Sequence, residues 1–389
     1  MKSKAAVLQG VGREWDVVEI DLDEPHAGEV LVKMSVAGIC HSDDHFATGD
    51  SVLSDDIAAM MRELGMDPPD FFPMLGGHEG AGVIEKVGPG VTDVKPGDRV
   101  AISFIPACGN CRWCATGFSY LCDVGEFLHS KKMTTDHTPR RHYDDQDLMA
   151  MMQVGTFSEY VVASARSVIK IHDWIPLDAA SLVSCGVTTG FGSGSTAAGT
   201  QPGDTVIVVG VGGIGMNAVQ GARAAGAKRV IAVDPVESKR DIAPSFGATH
   251  VAENLGEATN LVRELTWGVM ADRLILTAGV VHAELVGEAM MSIRKGGVCV
   301  LTGMTPVSEM SVPLVLAEMV NSAKTLKGVL YGNMNPRASM PMLLSMYEAG
   351  TLKLDELITN RYRLEDINVA MKDLRAGANI RGVIDFDLT

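Results

Sequence analysis

Six of the seven cysteines fall into two patterns suited to holding zinc. Cys108, Cys111, Cys114 and Cys122 crowd into the stretch CGNCRWCATGFSYLC. Four thiolates at that spacing complete a tetrahedral zinc and make a closed, structural site. Cys40, His78 and Cys185 stand far apart, each inside a Gly-rich or polar turn. Three protein ligands leave the fourth position of a zinc free for water or substrate, which is the arrangement of catalytic sites. Only Cys299 remains unassigned. Two thiolates and one imidazole leave the ion with little net charge. It can then polarise an alcohol oxygen and let it ionise near neutral pH, much as zinc lowers the pKa of water. From the resulting alkoxide a hydride departs easily. Taken singly, an isolated Cys is more often a small buried apolar residue, and an isolated His a hydrogen-bonded one.

What turns these residues toward redox chemistry is a second motif. Gly210-Val211-Gly212-Gly213-Ile214-Gly215 follows an apolar run, TVIVV, and opens a helical stretch, the context in which G-x-G-x-x-G binds a dinucleotide. The glycines allow the tight turn and let the backbone approach a pyrophosphate at the helix N-terminus. A second run, RVIAVD, ends in Asp234, placed to accept hydrogen bonds from the ribose hydroxyls. The same carboxylate repels a 2′-phosphate, so NAD is expected rather than NADP. Pro235, not a cation, follows it.

These groups need a scaffold of two kinds. Up to about residue 185 the chain shows short β-type runs (EVLVKMSVAG, GAGVIEKVG, DRVAISF, FSEYVVAS) separated by Gly, Pro and Asp, as in a compact mostly-β domain. From about 186 to 330 apolar strands alternate with helical stretches, among them MNAVQGARAAGA, ESKRDIAPSFGA and HAELVGEAMMSIRKGG, the signature of a parallel doubly wound sheet. The tail predicts a helix at ASMPMLLSMYEAG and a strand at RGVIDF, and is expected to rejoin the first domain. Residues 50–72 and 126–153 look inserted; the first carries a short amphipathic helix, DDIAAMMRELG, and the second ends in the Met-rich LMAMMQ.

The whole chain sets bounds. Its 389 residues fit two domains, and 46% hydrophobic content suffices to bury both. Neither a signal peptide nor a membrane span is expected, since the most apolar stretch, TVIVVGVGGIGMNAV, is broken by four glycines. Clustered cysteines without a secretion signal suit reduced thiolates and a cytoplasmic location. A net charge of −15 opposes nonspecific attraction to nucleic acid or anionic lipid.

The motifs GHE, the four-cysteine lobe, SCGVTTG, GVGGIG and IRGVI occur in an order and at a spacing by which the chain resembles the zinc-dependent medium-chain alcohol dehydrogenases nearly end to end. In GVGGIGMNAVQGA, VDPVESK and ELITNRYRLEDIN it is most similar to the nicotinoprotein (N,N-dimethyl-4-nitrosoaniline-dependent) group, which keeps NAD(H) bound and hands electrons to an external carrier. The resemblance implies an α/β architecture. A GroES-like mostly-β catalytic domain (1–187 and 331–389) would surround a Rossmann domain with a doubly wound parallel sheet (188–330), with the active site in the cleft. It implies NAD, two zinc ions per subunit and a homo-oligomer, commonly joined through Rossmann strands.

Residue by residue, the resemblance assigns Cys40, His78 and Cys185 to the catalytic zinc. Asp43 would orient a ligand, and Glu79 would exchange as a transient one. Ser42 would take the alcohol proton and His45 would pass it from the cofactor ribose to solvent, a task suited to imidazole. Lys239 matches an adenosine-ribose contact; Arg381 and His41 match pyrophosphate contacts, His41 replacing what is often Arg. Thr189, Gly303 and Met304 match positions beside the nicotinamide, and Phe104 a wall of the substrate pocket. The activity implied is hydride transfer from a zinc-bound alkoxide to NAD, giving an aldehyde or ketone.

Two departures bear on substrate. The Cys40 to His78 spacing is longer than in the familiar animal and yeast enzymes, so the 50–72 insertion either lids a larger alcohol or decorates the periphery. Glutathione-dependent formaldehyde dehydrogenases carry an arginine where this chain has Glu126, so no glutathione requirement is expected. Phe104 and the methionines of 148–152 suit a small uncharged, hydrophobic alcohol or aldehyde. Two alternatives stand beside this reading. One is an ordinary alcohol dehydrogenase with dissociable NAD. The other is a non-catalytic protein that binds NAD and zinc on the same fold, which would be free to lose the open site.

Overall fold

Alternation of buried and exposed residues builds the strands that carry the metal-ligand candidates. In the computed structural model, residues 1–127 and 130–388 are described, and the side chains of Glu126 and Phe127 lie outside the described residues, as does the expectation attached to Glu126. The chain forms two compact units, Met1–Cys185 with Asn335–Thr389, and Gly186–Met334.

In the first unit, strand Glu29–Gly38 is buried along most of its length and pairs antiparallel with three others: Glu79–Val87, Tyr160–Ser164 and Arg381–Asp385. Register matters here. Gly38 stands opposite Glu79 on one side and opposite Val383 on the other, so residues distant in sequence meet just before Cys40. The sheet continues through Arg99–Ile102 to Val168–Lys170, and on the other side to Ile358–Tyr362, which runs parallel to Arg381–Asp385. Gly38 has no room for a side chain, since a Cβ there would lie 2.5 Å from Glu79 Oε2 and 2.9 Å from an Arg381 nitrogen.

A second sheet begins with a hairpin that sequence reading leaves unassigned, Lys2–Leu8 against Trp15–Leu22. Segment 126–153 is no mere insertion: Arg141–Tyr143, Gln146–Asp147 and Met149–Ala150 all join this sheet. Two buried arginines fasten it. Arg140 donates to both carboxylate oxygens of Glu29 (2.8 and 3.0 Å), and Arg141 donates to the carbonyls of Gln153 (2.8 Å) and Val162 (2.5 Å). In the other insertion, Ser54 caps helix Asp55–Glu63 by accepting from Ile57 N–H at 3.4 Å. The insertion is anchored by Phe71, buried edge-to-face against Phe46 with ring centroids 5.3 Å apart.

The second unit holds six parallel strands in the order His250–Ala252, Arg229–Val233, Thr205–Val209, Ala271–Leu276, Ile293–Leu301, Thr325–Gly328. Counted along the chain from Thr205–Val209 this is 3-2-1-4-5-6, the dinucleotide-binding order. Thr205–Val209 is buried at every position, as a strand covered on both faces must be. One expectation shifts: HAELVGEAMMSIRKGG is not a single helical stretch. The helix is Ala283–Ser292, and from Ile293 the chain is extended, with Gly296 at φ +65° where a helix cannot continue. Among the described residues no helix is long and apolar enough to cross a membrane.

Candidate functional site

All four groups of the open cluster belong to the first unit. Cys40 follows strand Glu29–Gly38 and stands at the N-cap position of helix His41–Thr48. His78 precedes strand Glu79–Val87, and Cys185 follows helix Leu177–Leu182. One ligand atom from each of Cys40, His78, Glu79 and Cys185 can be chosen so that all lie within 4.8 Å of one another, and all four residues are buried.

The electrostatics of this cluster ask for a cation. Cys185 and then His78 hold the Cys40 thiol well below its usual range, against the opposing effect of burial. Cys185 is driven the other way by its contact with Cys40 and by burial, so it keeps its proton. Both thiols can ionise together only if positive charge comes between them. Burial raises Glu79 to about 7, opposed by Arg381, to which it is hydrogen-bonded. Burial disfavours the charged form of His78, yet Asp43 and Cys40 outweigh it and leave its pKa raised. Asp43 is itself raised, by burial first. Among the described residues His78 Nε2 and Glu79 Oε1 have no hydrogen-bond partner although both are buried, and they lie 3.9 Å apart. Buried polar atoms left bare in this way fit a metal, and two sulfurs, one imidazole and a nearby carboxylate are a donor set for zinc.

The supporting contacts are backbone-directed. Asp43 accepts from Gly77 N–H at 2.8 Å through Oδ1, while its Oδ2 lies 3.3 Å from His78 Nδ1. Thr156 donates to the Glu79 carbonyl at 2.8 Å, and its N–H donates to Gly77 O at 2.9 Å. Gly77 needs its φ of +86°, and a Cβ there would lie 2.5 Å from Phe157 N. The Phe104 ring sits edge-on to the His78 ring, centroids 5.7 Å apart. Ser42 Oγ is 3.6 Å from Cys40 Sγ. His45 is buried, with Nδ1 3.1 Å from Asp50 Oδ2, an acid that also accepts from Thr48 at 2.7 Å. The His41 and His45 rings lie 6.2 Å apart. Asp50 escapes sequence reading because it lies beyond the helix end at Gly49, and only the fold turns it back toward His45.

The four-cysteine lobe forms the second cluster of ligand atoms within 4.8 Å of one another. Cys108 N–H donates to Cys122 Sγ (3.3 Å), Cys111 N–H to Cys108 Sγ (3.4 Å) and Cys114 N–H to Cys111 Sγ (3.4 Å), bonds that favour thiolates. Cys111 is lowered to about 7: burial opposes, but bonds from the Cys114 and Asp123 backbones outweigh it. Burial pushes Cys122 up to about 12. Cys299 is buried in the second unit, packed in its hydrophobic core, and its thiol is pushed up to about 12 by burial.

The dinucleotide candidates other than His41 and Arg381 sit in the second unit. Gly210 turns at φ +86°, and Gly212 precedes helix Gly213–Ala224, which begins with Gly213, Ile214 and Gly215. A Cβ on Gly215 would lie 1.9 Å from Gly210 O, which is why strand and helix pack so closely. Asp234 accepts from Val211 N–H (2.9 Å) and Val236 N–H (3.0 Å), each oxygen keeping a lone pair for a ligand. Lys239 lies on helix Glu237–Ile242. Gly303 approaches Ala278, as Gly210 does, while Met304 is partly exposed. Thr189 O accepts from Ser193, whose hydroxyl meets that of Thr302 at 2.9 Å. Arg381, expected among the cofactor contacts, is buried in the first unit and bonded to Glu79.

Comparison with known proteins agrees with this geometry. Residues 26–173 match the alcohol dehydrogenase GroES-like domain and residues 213–349 the zinc-binding dehydrogenase domain. The chain is 50% identical to an NDMA-dependent alcohol dehydrogenase of Amycolatopsis methanolica, over 99% of each chain. It is 47% identical to a putative alcohol dehydrogenase D of Mycobacterium tuberculosis (strain CDC 1551 / Oshkosh), over 99% of this chain and 100% of that one. Among solved structures, an alcohol dehydrogenase zinc-binding domain protein from Burkholderia ambifaria superposes with a TM-score of 0.86 at 26% identity, covering 99% of both chains.

Proposed function

The chain belongs to the zinc-dependent medium-chain alcohol dehydrogenase family, and from that premise we propose that it oxidises a small uncharged alcohol to an aldehyde or ketone with NAD(H) that stays bound through the cycle. An external electron carrier would then recycle the cofactor. The observation that carries the reading is the buried set Cys40, His78, Glu79 and Cys185, which four bare or mutually perturbed donors leave incomplete without a cation. That the cofactor stays bound is supported by the 50% identity with the NDMA-dependent relative.

The chemistry supplied from outside the chain is Lewis acidity from zinc and hydride acceptance by the nicotinamide, once both are bound. Cys40, His78 and Cys185 hold the metal, and Asp43 fixes the His78 ring from behind. Ser42 Oγ accepts the proton of the alcohol hydroxyl as the carbinol hydride leaves, and His45, backed by Asp50, moves it outward. Phe104 excludes water beside His78. Glu79, engaged with Arg381, is near enough to the cluster to enter it. The Gly210–Gly215 loop holds the pyrophosphate, Asp234 and Lys239 the adenosine ribose, and Asp234 selects NAD over NADP. The Cys108–Cys122 lobe holds a second, structural zinc. Domain limits at 187 and 330, a cytoplasmic location and a homo-oligomer belong to the same proposal.

Denaturing freshly purified protein without added cofactor tests it directly. About one NAD(H) released per chain supports bound cofactor; essentially none, with alcohol-dependent reduction of added NAD, makes the protein an ordinary dissociable-cofactor dehydrogenase. Cys40→Ala should abolish turnover while the protein stays folded, and full activity in that variant would overturn the metal reading.

A further inference from the structure

Two of the proposed ligands reach the metal from segments far apart in the chain, and one hydroxyl ties those segments together. Ser184 directly precedes Cys185 and is fully buried. Its Oγ donates to the Gly80 carbonyl at 3.0 Å and accepts from the Gly80 N–H at 3.4 Å, a link between positions 104 apart in sequence. Gly80 lies two residues beyond His78 and directly after Glu79. Its strand is fixed from the other side, because a Cβ on Gly80 would lie 2.4 Å from Met34 Cε and 3.1 Å from Thr156 Cγ2. Asp43 and Thr156 hold Gly77 and Glu79 by their backbones, so the His78 segment is a rigid reference. Against it, Ser184 sets where Cys185 arrives.

We propose that Ser184 is a positioning residue of the open site, clamping the Cys185 segment to the His78–Gly80 strand and so setting the distance between the two ligands. The proposal rests on the reading of Cys40, His78 and Cys185 as ligands. Its physical basis is general. Groups that orient metal ligands from outside the coordination shell tune affinity, and a fully buried hydroxyl bonded to both the N–H and the C=O of one residue cannot be removed without loosening that register.

The test uses the purified full-length protein and Ser184→Ala, with Ser181→Ala as control. Ser181 is another fully buried hydroxyl on the same approach to Cys185, but it donates at 2.7 Å to the Asp178 carbonyl, within its own segment of chain rather than across to Gly80. Zinc per subunit is followed against rising EDTA, and cobalt-substituted protein is read by its visible absorption bands. Ser184→Ala should lose the open-site zinc at a chelator concentration about tenfold or more lower, keep the four-cysteine zinc and shift the cobalt bands. Ser181→Ala should do neither. Chelator sensitivity and cobalt bands in Ser184→Ala like those of the parent would overturn the proposal, as would the same change in Ser181→Ala. Should Ser184→Ala fail to fold, Ser184→Gly, which also lacks the hydroxyl, carries the same comparison. If Cys40→Ala leaves the zinc content of the protein unchanged, the ligand reading itself falls, a result separable from any behaviour of Ser184.

Discussion

Asp136 shows what one carboxylate can do for a long segment. Its oxygens receive the Thr138 hydroxyl (2.7 Å), the Thr138 N–H (3.0 Å) and Arg140 (2.5 Å), and face His26 Nδ1 at 2.8 Å. Burial works against its ionised form, but these bonds outweigh it and hold Asp136 well below the usual carboxylate range. A carboxyl whose pKa is depressed on folding stabilises the protein above its unfolded-state value, near 4, and that contribution disappears as pH falls through the folded value. Asp136→Asn is therefore expected to lower the unfolding free energy at pH 7 by about 1 kcal/mol, and the midpoint with it, the effect being limited because a third of the side chain remains in solvent. The gap from the parent should begin to narrow as pH drops below about 4 and keep narrowing toward the folded value. Thermal scans of both proteins from pH 7 to about pH 2 measure it; a gap that does not narrow at all below about pH 4 would mean that ionised Asp136 is not the cause. The same scale shows what sequence reveals of the site. Cysteines and histidines at metal spacing are legible because few residue types can hold zinc. Asp50 and Ser184 are not, because Asp and Ser are ordinary turn residues until folding sets Asp50 3.1 Å from His45 and Ser184 3.0 Å from Gly80.

Between strand Thr205–Val209 and helix Gly213–Ala224, the turn works only because two backbones can touch. Gly215→Ala would bring a methyl within 1.9 Å of Gly210 O, and no rotamer can relieve a clash made by Cβ. Overpacking of that kind costs about 1–3 kcal/mol where the surroundings can shift, and here the obstructing atom is backbone. The variant is expected to lose bound dinucleotide and to melt the second unit earlier, while the zinc content of the first unit stays at the parental value. Released NAD(H) and zinc per chain, read on one preparation, check both halves; normal dinucleotide content would show that the close approach is dispensable. Elements of this sort are readable beforehand, since G-x-G-x-x-G after an apolar run has a single structural sense. The hairpin Lys2–Leu8 with Trp15–Leu22 and the short strands within 141–150 are not. Their residues are mixed in polarity, and their pairing depends on partners elsewhere in the sheet, such as Met74–Leu75 with Met149–Ala150.

On the scale of the whole molecule, the fold class is legible because the hydrophobic period changes along the chain, whereas association is not, because it depends on which side chains the finished fold leaves uncovered. In the second unit Thr325–Gly328 is the outermost strand of the parallel sheet, offering unpaired backbone groups along one edge. The chain leading into it is apolar yet exposed: Met310 is 82% exposed, Leu316 69% and Val320 79%. Exposed apolar side chains gathered in this way suit covering by a second copy, a gain that must exceed the repulsion between chains each carrying −15. In a symmetric pair the same patch is used on both copies, so carboxylates added to it are buried twice over and brought toward one another. Leu316→Glu combined with Val320→Glu is accordingly expected to reduce the mass in light scattering from a multiple of the chain to about that of one 41.3 kDa chain, while zinc and dinucleotide content per chain hold. A parent that already scatters as a single chain would remove the interface argument, and an unchanged multiple in the double variant would move the interface to another face.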